Sequence, residues 1–128
     1  MKTPVGRFRI GEKIGAGNPM NIAYKNRRPF HANAKTLKAD DLVMSRILWL
    51  DGSDAANANT FERYIYIHGT NHEEDLGEPA SHGCIRMRNT DVAELFELVE
   101  VDTPVVIAAP RRPAPNGRKR EKSVAKRK

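Results

Sequence analysis

The sequence contains a single cysteine, Cys84, among 128 residues. An internal disulfide is therefore excluded, and the usual inference from disulfides to an oxidising compartment does not apply. A lone cysteine instead raises the question of whether its thiol is reactive. Cys84 is the first candidate for a chemical role.

Long apolar runs are also absent. No run approaches the roughly 18 residues that span a bilayer, and residues 1–8 lack a secretory hydrophobic region. We therefore expect no transmembrane segment, and no signal peptide within the sequence as given. Hydrophobic residues make up 39% and charged residues 30%, a composition compatible with one globular domain that has a modest core.

Positive charge is concentrated at one end of the chain. Residues 111–128 contain nine Lys or Arg and one acidic residue, a net charge of +8, so residues 1–110 carry −2. The body lacks the basic face of a specific nucleic-acid-binding domain. We interpret residues 110–128 as a basic, disordered tail and residues 1–109 as the folded domain. The tail is either only solvated or an electrostatic contact to an anionic polymer, a membrane surface or RNA.

The hydrophobic pattern predicts a mainly β domain. Residues 42–50 read as a buried strand that ends in a turn at Asp51 and Gly52, residues 63–67 as a strand that delivers His68, and residues 105–107 as a short last strand. This order favours an α+β or β-sandwich arrangement over alternating βαβ units.

One helix is predicted near the end of the domain. Asn89 or Thr90 can cap it, and Asp91 suits the positive end of the helix dipole. Apolar residues then fall at helical spacing, which predicts one stripe against the core, formed by Val92, Leu95, Phe96 and Val99.

Candidate catalytic groups lie between the second strand and the helix. A thiol is a few per cent thiolate at neutral pH, and a neighbouring imidazole is its usual activator. His82 shares a segment with Cys84, whereas His68 arrives from a separate strand and can face the thiol more easily. A backbone carbonyl could hold its second ring nitrogen. We assign Cys84 as nucleophile, His68 as general base and His82 as orienting or structural.

Other residues around the cysteine receive weaker assignments. Gly83 either lets backbone N–H groups approach a substrate oxyanion or only satisfies a positive φ. Two roles of about equal weight are assigned to Arg86: it binds a substrate carboxylate, or it forms a structural ion pair. Ser81 and Gly69 complete the candidate substrate-binding residues.

Metal chemistry is the less favoured alternative. His68, His72, His82 and Cys84 are possible zinc ligands, but His82-x-Cys84 is not a common zinc spacing and four ligands are not evident. His72, in an acidic loop, is expected to be solvated. We expect no metal and no cofactor.

The motifs resemble those of a known family. His68-Gly69-Thr70, followed after ten residues by Ser81-His82-Gly83-Cys84-Ile85-Arg86-Met87, resembles the active-site signature of the L,D-transpeptidases, or YkuD-like domain. Thr3-Pro4-Val5-Gly6-Arg7-Phe8 resembles an earlier segment of that domain. The likeness covers residues 3 to about 108.

The resemblance implies acyl transfer on peptidoglycan stem peptides in the periplasm or cell envelope. Members attack the bond after the L-centre of diaminopimelate in a tetrapeptide, release D-alanine and pass the acyl group to an amine. The amine belongs to a second stem or a lipoprotein lysine, and water serves some members. The resemblance also implies Cys84 as nucleophile, His68 as base and an oxyanion hole from the backbone around His82, Gly83 and Cys84.

One feature departs from the family. Its domains begin with further strands before the segment at Thr3, and this sequence starts there. We therefore expect missing strands and an unpaired sheet edge. A non-catalytic peptidoglycan-binding remnant is the main alternative function, and a papain-like protease is disfavoured because the local signature around its cysteine is absent.

Deleting residues 111–128 tests the role assigned to the tail. If the tail only holds the protein near anionic polymer, turnover of a small soluble substrate should be unchanged, and sedimentation with isolated cell walls should fall. That binding should weaken with salt, because exposed charges are screened over about 8 Å at physiological ionic strength. Loss of turnover of the small substrate would show that the tail belongs to the folded domain.

Overall fold

The computed structural model describes residues 3–77 and 83–109. These residues form β1 (Gly6–Ile14), β2 (Ala23–Lys25), β3 (Arg28–Phe30), α1 (Ala34–Ala39), β4 (Val43–Gly52), β5 (Tyr66–Gly69), β6 (Ile85–Met87), α2 (Asn89–Leu98) and β7 (Pro104–Ile107). Short 3-10 turns occupy Ala55–Asn57, Phe61–Arg63 and Glu73–Asp75. The expected mainly β fold with a late helix is confirmed, and the short helix α1 is an addition to it. Within the described ranges no helix is long and apolar enough to cross a membrane.

The seven strands form one hydrogen-bonded sheet. Antiparallel pairs join β1 to β4 and β7, β2 to β3 and β4, and β4 to β5. The pair of β5 and β6 is parallel. Phe8 and Arg9 of β1 have partners in both β4 and β7, so this strand lies inside the sheet. The unpaired edge expected at the start of the chain is therefore not found at β1.

The turn predicted at Asp51 and Gly52 is wrong, because β4 continues through both residues. Arg9 lies opposite Asp51 and donates to its carboxylate at 2.7 Å, while Phe8 lies opposite Gly52. A side chain at Gly52 would collide with the backbone carbonyl of Asn57. Pairing with β1 thus extends the strand, and glycine serves close packing there.

One face of the sheet packs against α2. The predicted helical stripe is confirmed, since Val92 and Phe96 are buried, and Leu95 and Val99 pack against the same core. The buried members of this core from the sheet are Phe8, Ile10, Leu48, Leu50, Ile65 and Ile67.

The start of α2 is stabilised differently from the expectation. The N-cap position is Arg88, which makes no side-chain capping bond, and Asn89 is the first helical residue. Its backbone N–H donates to the carboxylate of Glu73 at 2.8 Å, and its side-chain amide donates to the carbonyl of Thr70 at 2.7 Å. Ser45 donates to the side-chain oxygen of Asn89 at 2.5 Å. Asn89 therefore links α2 by hydrogen bonds to β4 and to the residues that follow β5.

The opposite face of the sheet carries an aromatic cluster. Trp49 stacks on Phe61 with ring centroids 3.9 Å apart and meets Tyr66 edge to face at 5.6 Å. The indole N–H donates to the carbonyl of Phe61 at 3.0 Å. Alternation along β4 places Ile47 and Trp49 on this face and Leu48 and Leu50 on the helix face.

Gly69→Ala should destabilise the domain. An added Cβ would collide with the Asn89 side chain and lie 2.8 Å from the carbonyl of Met44, and overpacking of this kind costs about 1–3 kcal/mol. Gly17→Ala is the control, because nothing lies within 4 Å there and φ is +80°, which leaves only a backbone cost of about 1 kcal/mol. Thermal unfolding should show the larger loss for Gly69→Ala, and equal or reversed losses would contradict this packing.

Candidate active site

His68 is held in a buried position on β5, with 5% of its surface exposed. It is the third of the four strand residues, and the ring nitrogen Nδ1 lies 2.5 Å from the carbonyl oxygen of Gly69. A carbonyl oxygen only accepts hydrogen bonds, so Nδ1 carries the hydrogen. In the neutral ring Nε2 is then unprotonated and able to accept a proton.

Cys84 lies immediately before β6. Its Sγ accepts a hydrogen bond from the backbone N–H of Tyr66 at 3.4 Å and donates one to the carbonyl of Tyr64 at 3.3 Å. The side chain is partly buried and packs against the aromatic cluster. In the described part of the chain both hydrogen-bond partners of the thiol are backbone groups.

Strand pairing brings Cys84 and His68 to the same face of the sheet. His68 is paired with Ile47 of β4, whose side chain lies on the aromatic face, and with Arg86 of the parallel strand β6. Cys84 precedes Arg86 by two residues, and side chains two apart along an extended chain share a face. The thiol, which lies just before β6, and the buried imidazole on β5 are therefore on one side of the sheet.

Burial disfavours the charged form of both groups. Removal from water lowers the pKa of His68, although its hydrogen bond to Gly69 and the charge of Asp41 act in the opposite direction. Removal from water raises the pKa of Cys84, and the N–H of Tyr66 partly opposes this rise. Both shifts favour a thiol and a neutral imidazole over a thiolate and an imidazolium.

The side chain of Arg86 is held by contacts within the domain. Its guanidinium donates to the carboxylate of Asp41 at 3.1 Å and to the carbonyl of Asp75 at 3.3 Å, and its side chain is 10% exposed. Asp41 also accepts from the hydroxyl of Thr70 at 3.2 Å. These contacts favour the structural ion pair over the direct carboxylate ligand.

The two glycines of the predicted site have different surroundings. Gly83 has φ of +86°, a backbone conformation that favours glycine. Gly69 is buried, and its carbonyl holds the imidazole of His68. Its contacts with β4 and Asn89 give it a packing role in addition to the predicted contact with substrate. Ser81 and His82 lie outside the described residues.

His72 differs from the expected solvated residue. Nδ1 lies 3.1 Å from the carboxylate of Glu74 and Nε2 lies 3.0 Å from the carbonyl of Asp40. Two facing acceptors suit a protonated ring, and the hydrogen bond to Glu74 raises the pKa of His72. Among the described residues, the group with ligand atoms close enough to share one metal ion is His72, Glu74 and Asp75.

A pocket of about 300 Å³ opens on the aromatic face. Two of its lining residues, Tyr64 and Tyr66, are those whose backbone groups bind Sγ of Cys84. Arg27 and Asn26 reach the pocket from the turn between β2 and β3. No sequence motif pointed to these two residues, because the only local signal was an asparagine in a polar run without a following glycine.

Comparison with known proteins identifies the family of the chain. The model of the L,D-transpeptidase catalytic domain (YkuD) matches residues 1–107, so the chain belongs to that family. YqjB of Bacillus subtilis (strain 168), which is named as an L,D-transpeptidase, is 38% identical over 105 residues, covering 82% of this chain and 51% of its own length. The chain thus spans about half the length of that relative.

Shorter matches have higher identity. YbiS of Escherichia coli (strain K12), also named as an L,D-transpeptidase, is 51% identical over 43 residues, which cover 34% of this chain and 14% of the relative. YkuD of Bacillus subtilis (strain 168) is 51% identical over 46 residues, covering 36% and 28% respectively. The family expected from the sequence motifs is confirmed.

His68, which is buried, and His72, which is bridged to Glu74, should titrate on opposite sides of the ordinary histidine pKa of about 6.5. Nitrogen-15 NMR should show His68 neutral at pH 7 with the hydrogen on Nδ1, and His72 protonated to a higher pH. The contribution of His68 to stability is present above pH 6.5 and is lost as the pH falls, because the unfolded state binds the proton more readily. A hydrogen on Nε2 of His68, or His68 titrating above His72, would contradict the geometry.

Proposed function

We propose that this domain is a cysteine-dependent L,D-transpeptidase acting on peptidoglycan stem peptides. The donor is a tetrapeptide stem that ends in D-alanine, and the acceptor is an amine. Such a substrate implies action in the cell envelope. No cofactor or metal takes part in this proposal.

Acylation is the first half of the proposed reaction. Sγ of Cys84 attacks the carbonyl carbon after the L-centre of diaminopimelate, and Nε2 of His68 takes the thiol proton. The carbon–nitrogen bond to D-alanine then breaks as His68 returns the proton to the leaving amine. The acyl group is left on sulfur as a thioester. Backbone N–H groups of Gly83 and Cys84 stabilise the oxyanion, at about 2.7–4 kcal/mol for each donor.

Deacylation reverses the roles. The acceptor amine attacks the thioester carbonyl, His68 removes a proton from its nitrogen, and the carbon–sulfur bond breaks to restore the thiol. A second stem peptide as acceptor gives a 3-3 cross-link, and a lipoprotein lysine gives protein attachment. Water as acceptor would make the same site an L,D-carboxypeptidase.

The observation that carries the proposal is the tautomer of His68. Its hydrogen bond to the Gly69 carbonyl leaves Nε2 as the proton acceptor, and the thiol of Cys84 lies on the same face of the sheet. A site with a neutral thiol and a neutral imidazole forms the thiolate as the substrate is attacked. Membership of the L,D-transpeptidase family supports the same chemistry.

The main alternative is a peptidoglycan-binding domain that does not catalyse. The chain spans about half the length of YqjB, so the activity of a whole relative is not transferred by similarity alone. A binding domain would retain affinity for stem peptides without releasing D-alanine. The two functions are therefore separated by turnover rather than by binding.

Release of D-alanine from a disaccharide tetrapeptide tests the proposal. Cys84→Ala should abolish release, and His68→Ala should lower it by on the order of 100-fold, within the usual worth of general base catalysis. His31→Ala is the matched control, because His31 is an exposed residue just after β3, and its release rate should equal that of the wild type.

Two results would contradict the mechanism. Retained release by Cys84→Ala would exclude the thiol as nucleophile, and wild-type rates in His68→Ala would exclude the imidazole as base. Circular dichroism of each variant separates a chemical loss from unfolding. Binding of the peptide by the wild type without any release would favour the binding domain.

A further inference from the structure

Arg27 occupies an unusual position beside the candidate active site. Lys25 of β2 pairs with Arg28 of β3, which leaves Asn26 and Arg27 as a two-residue turn. Both turn residues are left-handed, with φ of 52° and 66°. The second position of such a turn commonly holds glycine, and a long side chain is rare there. The chain therefore presents an arginine where the backbone favours glycine.

The guanidinium of Arg27 is held over the aromatic cluster. Its Cζ lies 4.9 Å from the ring centroid of Trp49 and 5.1 Å from that of Tyr64, and Nη1 donates to the hydroxyl of Tyr66 at 3.1 Å. Contact with aromatic rings limits the motion of the planar group while leaving its edge available for hydrogen bonds. The positive charge is thus oriented before any ligand binds.

Among the described residues no carboxylate forms an ion pair with this charge. The hydrogen bond to Tyr66 raises the pKa of Arg27 most, and the more distant Glu12 contributes only a smaller electrostatic attraction that also raises it. No carboxylate in residues 3–77 or 83–109 lies within 4.0 Å of the Arg27 guanidinium, and one of its five N–H groups is used by Tyr66. Arg9, by contrast, is paired with Asp51 at 2.7 Å. Arg27 keeps donors that suit a planar, bidentate acceptor.

The location connects this charge with the proposed chemistry. Arg27, Tyr64 and Tyr66 line the same pocket, and the backbone of the two tyrosines binds Sγ of Cys84. The pocket that Arg27 lines therefore shares Tyr64 and Tyr66 with the surroundings of the thiol. We propose that Arg27 and the hydroxyl of Tyr66 form a subsite for a carboxylate of the donor peptide within one residue of the scissile bond.

This inference rests on the proposed function for the identity of the donor. Two carboxylates of a diaminopimelate tetrapeptide lie within one residue of the scissile bond. One belongs to the leaving D-alanine, and the other belongs to the side chain of diaminopimelate. Both offer the same acceptor geometry to a guanidinium. Donors amidated separately at each position distinguish them.

The experiment compares kcat/KM for the unmodified donor and the two amidated donors. The wild type should prefer the unmodified donor over one amide by on the order of tenfold, since a hydrogen bond to a charged group is worth about that factor or more. Arg27→Gln should lower kcat/KM for the unmodified donor and remove this preference. Arg27→Lys should restore part of it.

Arg28→Gln is the matched control. It removes the same charge from the same hairpin, and Arg28 is exposed and does not line the pocket. This variant should keep the wild-type preference. If Arg27 had only a structural role, Arg27→Gln would lower kcat/KM for all donors by the same factor and would leave the preference unchanged. A preference retained in Arg27→Gln would therefore overturn the subsite.

A binding measurement separates failure of the subsite from failure of the proposed function. Calorimetry with the Cys84→Ala protein measures the Kd of each donor without turnover. The subsite is supported if the Cys84→Ala protein binds the unmodified donor more tightly than one of the amidated donors, and the double variant Cys84→Ala/Arg27→Gln binds them equally. This result supports the subsite even if the wild type releases no D-alanine. Equal binding of all donors, or no binding of any, overturns it.

Discussion

The site depends on the position of β5 between two other strands. Antiparallel pairing with β4 and parallel pairing with β6 fix which side chains of β5 face the helix and which face the pocket. Ile67 packs with the core under α2, and its neighbours Tyr66 and His68 face the opposite side. A shift by one residue would exchange the two sets, because side chains alternate along a strand. The register thus places a buried imidazole on the pocket side of the sheet.

A second constraint is the burial of the proposed nucleophile and the proposed base. Burial disfavours the charged forms of both Cys84 and His68, and the backbone satisfies one end of each group. The carbonyl of Gly69 orients the imidazole, and the N–H of Tyr66 binds the sulfur. Gly69 serves this arrangement twice, since its lack of a side chain also lets Asn89 approach β4. The same residues therefore stabilise the fold and orient the imidazole of the proposed base.

Much of this arrangement follows from the sequence, and the remainder follows from pairing between distant segments. Local patterns predicted β4 and the apolar stripe of α2, and the motif around Cys84 indicated the family. They did not predict that Asp51 and Gly52 extend β4, because that extension depends on β1, some 40 residues earlier. Glu73 replaces a local cap of α2 for the same reason. Arg27 was missed because its importance lies in contacts with Trp49 and Tyr66 and not in a motif.

The central claim is that Cys84 carries the acyl group. Wild-type protein should be incubated with the disaccharide tetrapeptide, quenched in acid during turnover and digested for tandem mass spectrometry. The account predicts an adduct on the peptide that contains Cys84, with the mass of the donor less D-alanine, and loss of the adduct when an acceptor amine is added. D-alanine release with an unmodified Cys84 peptide under rapid quench, or an adduct on another residue, would contradict it.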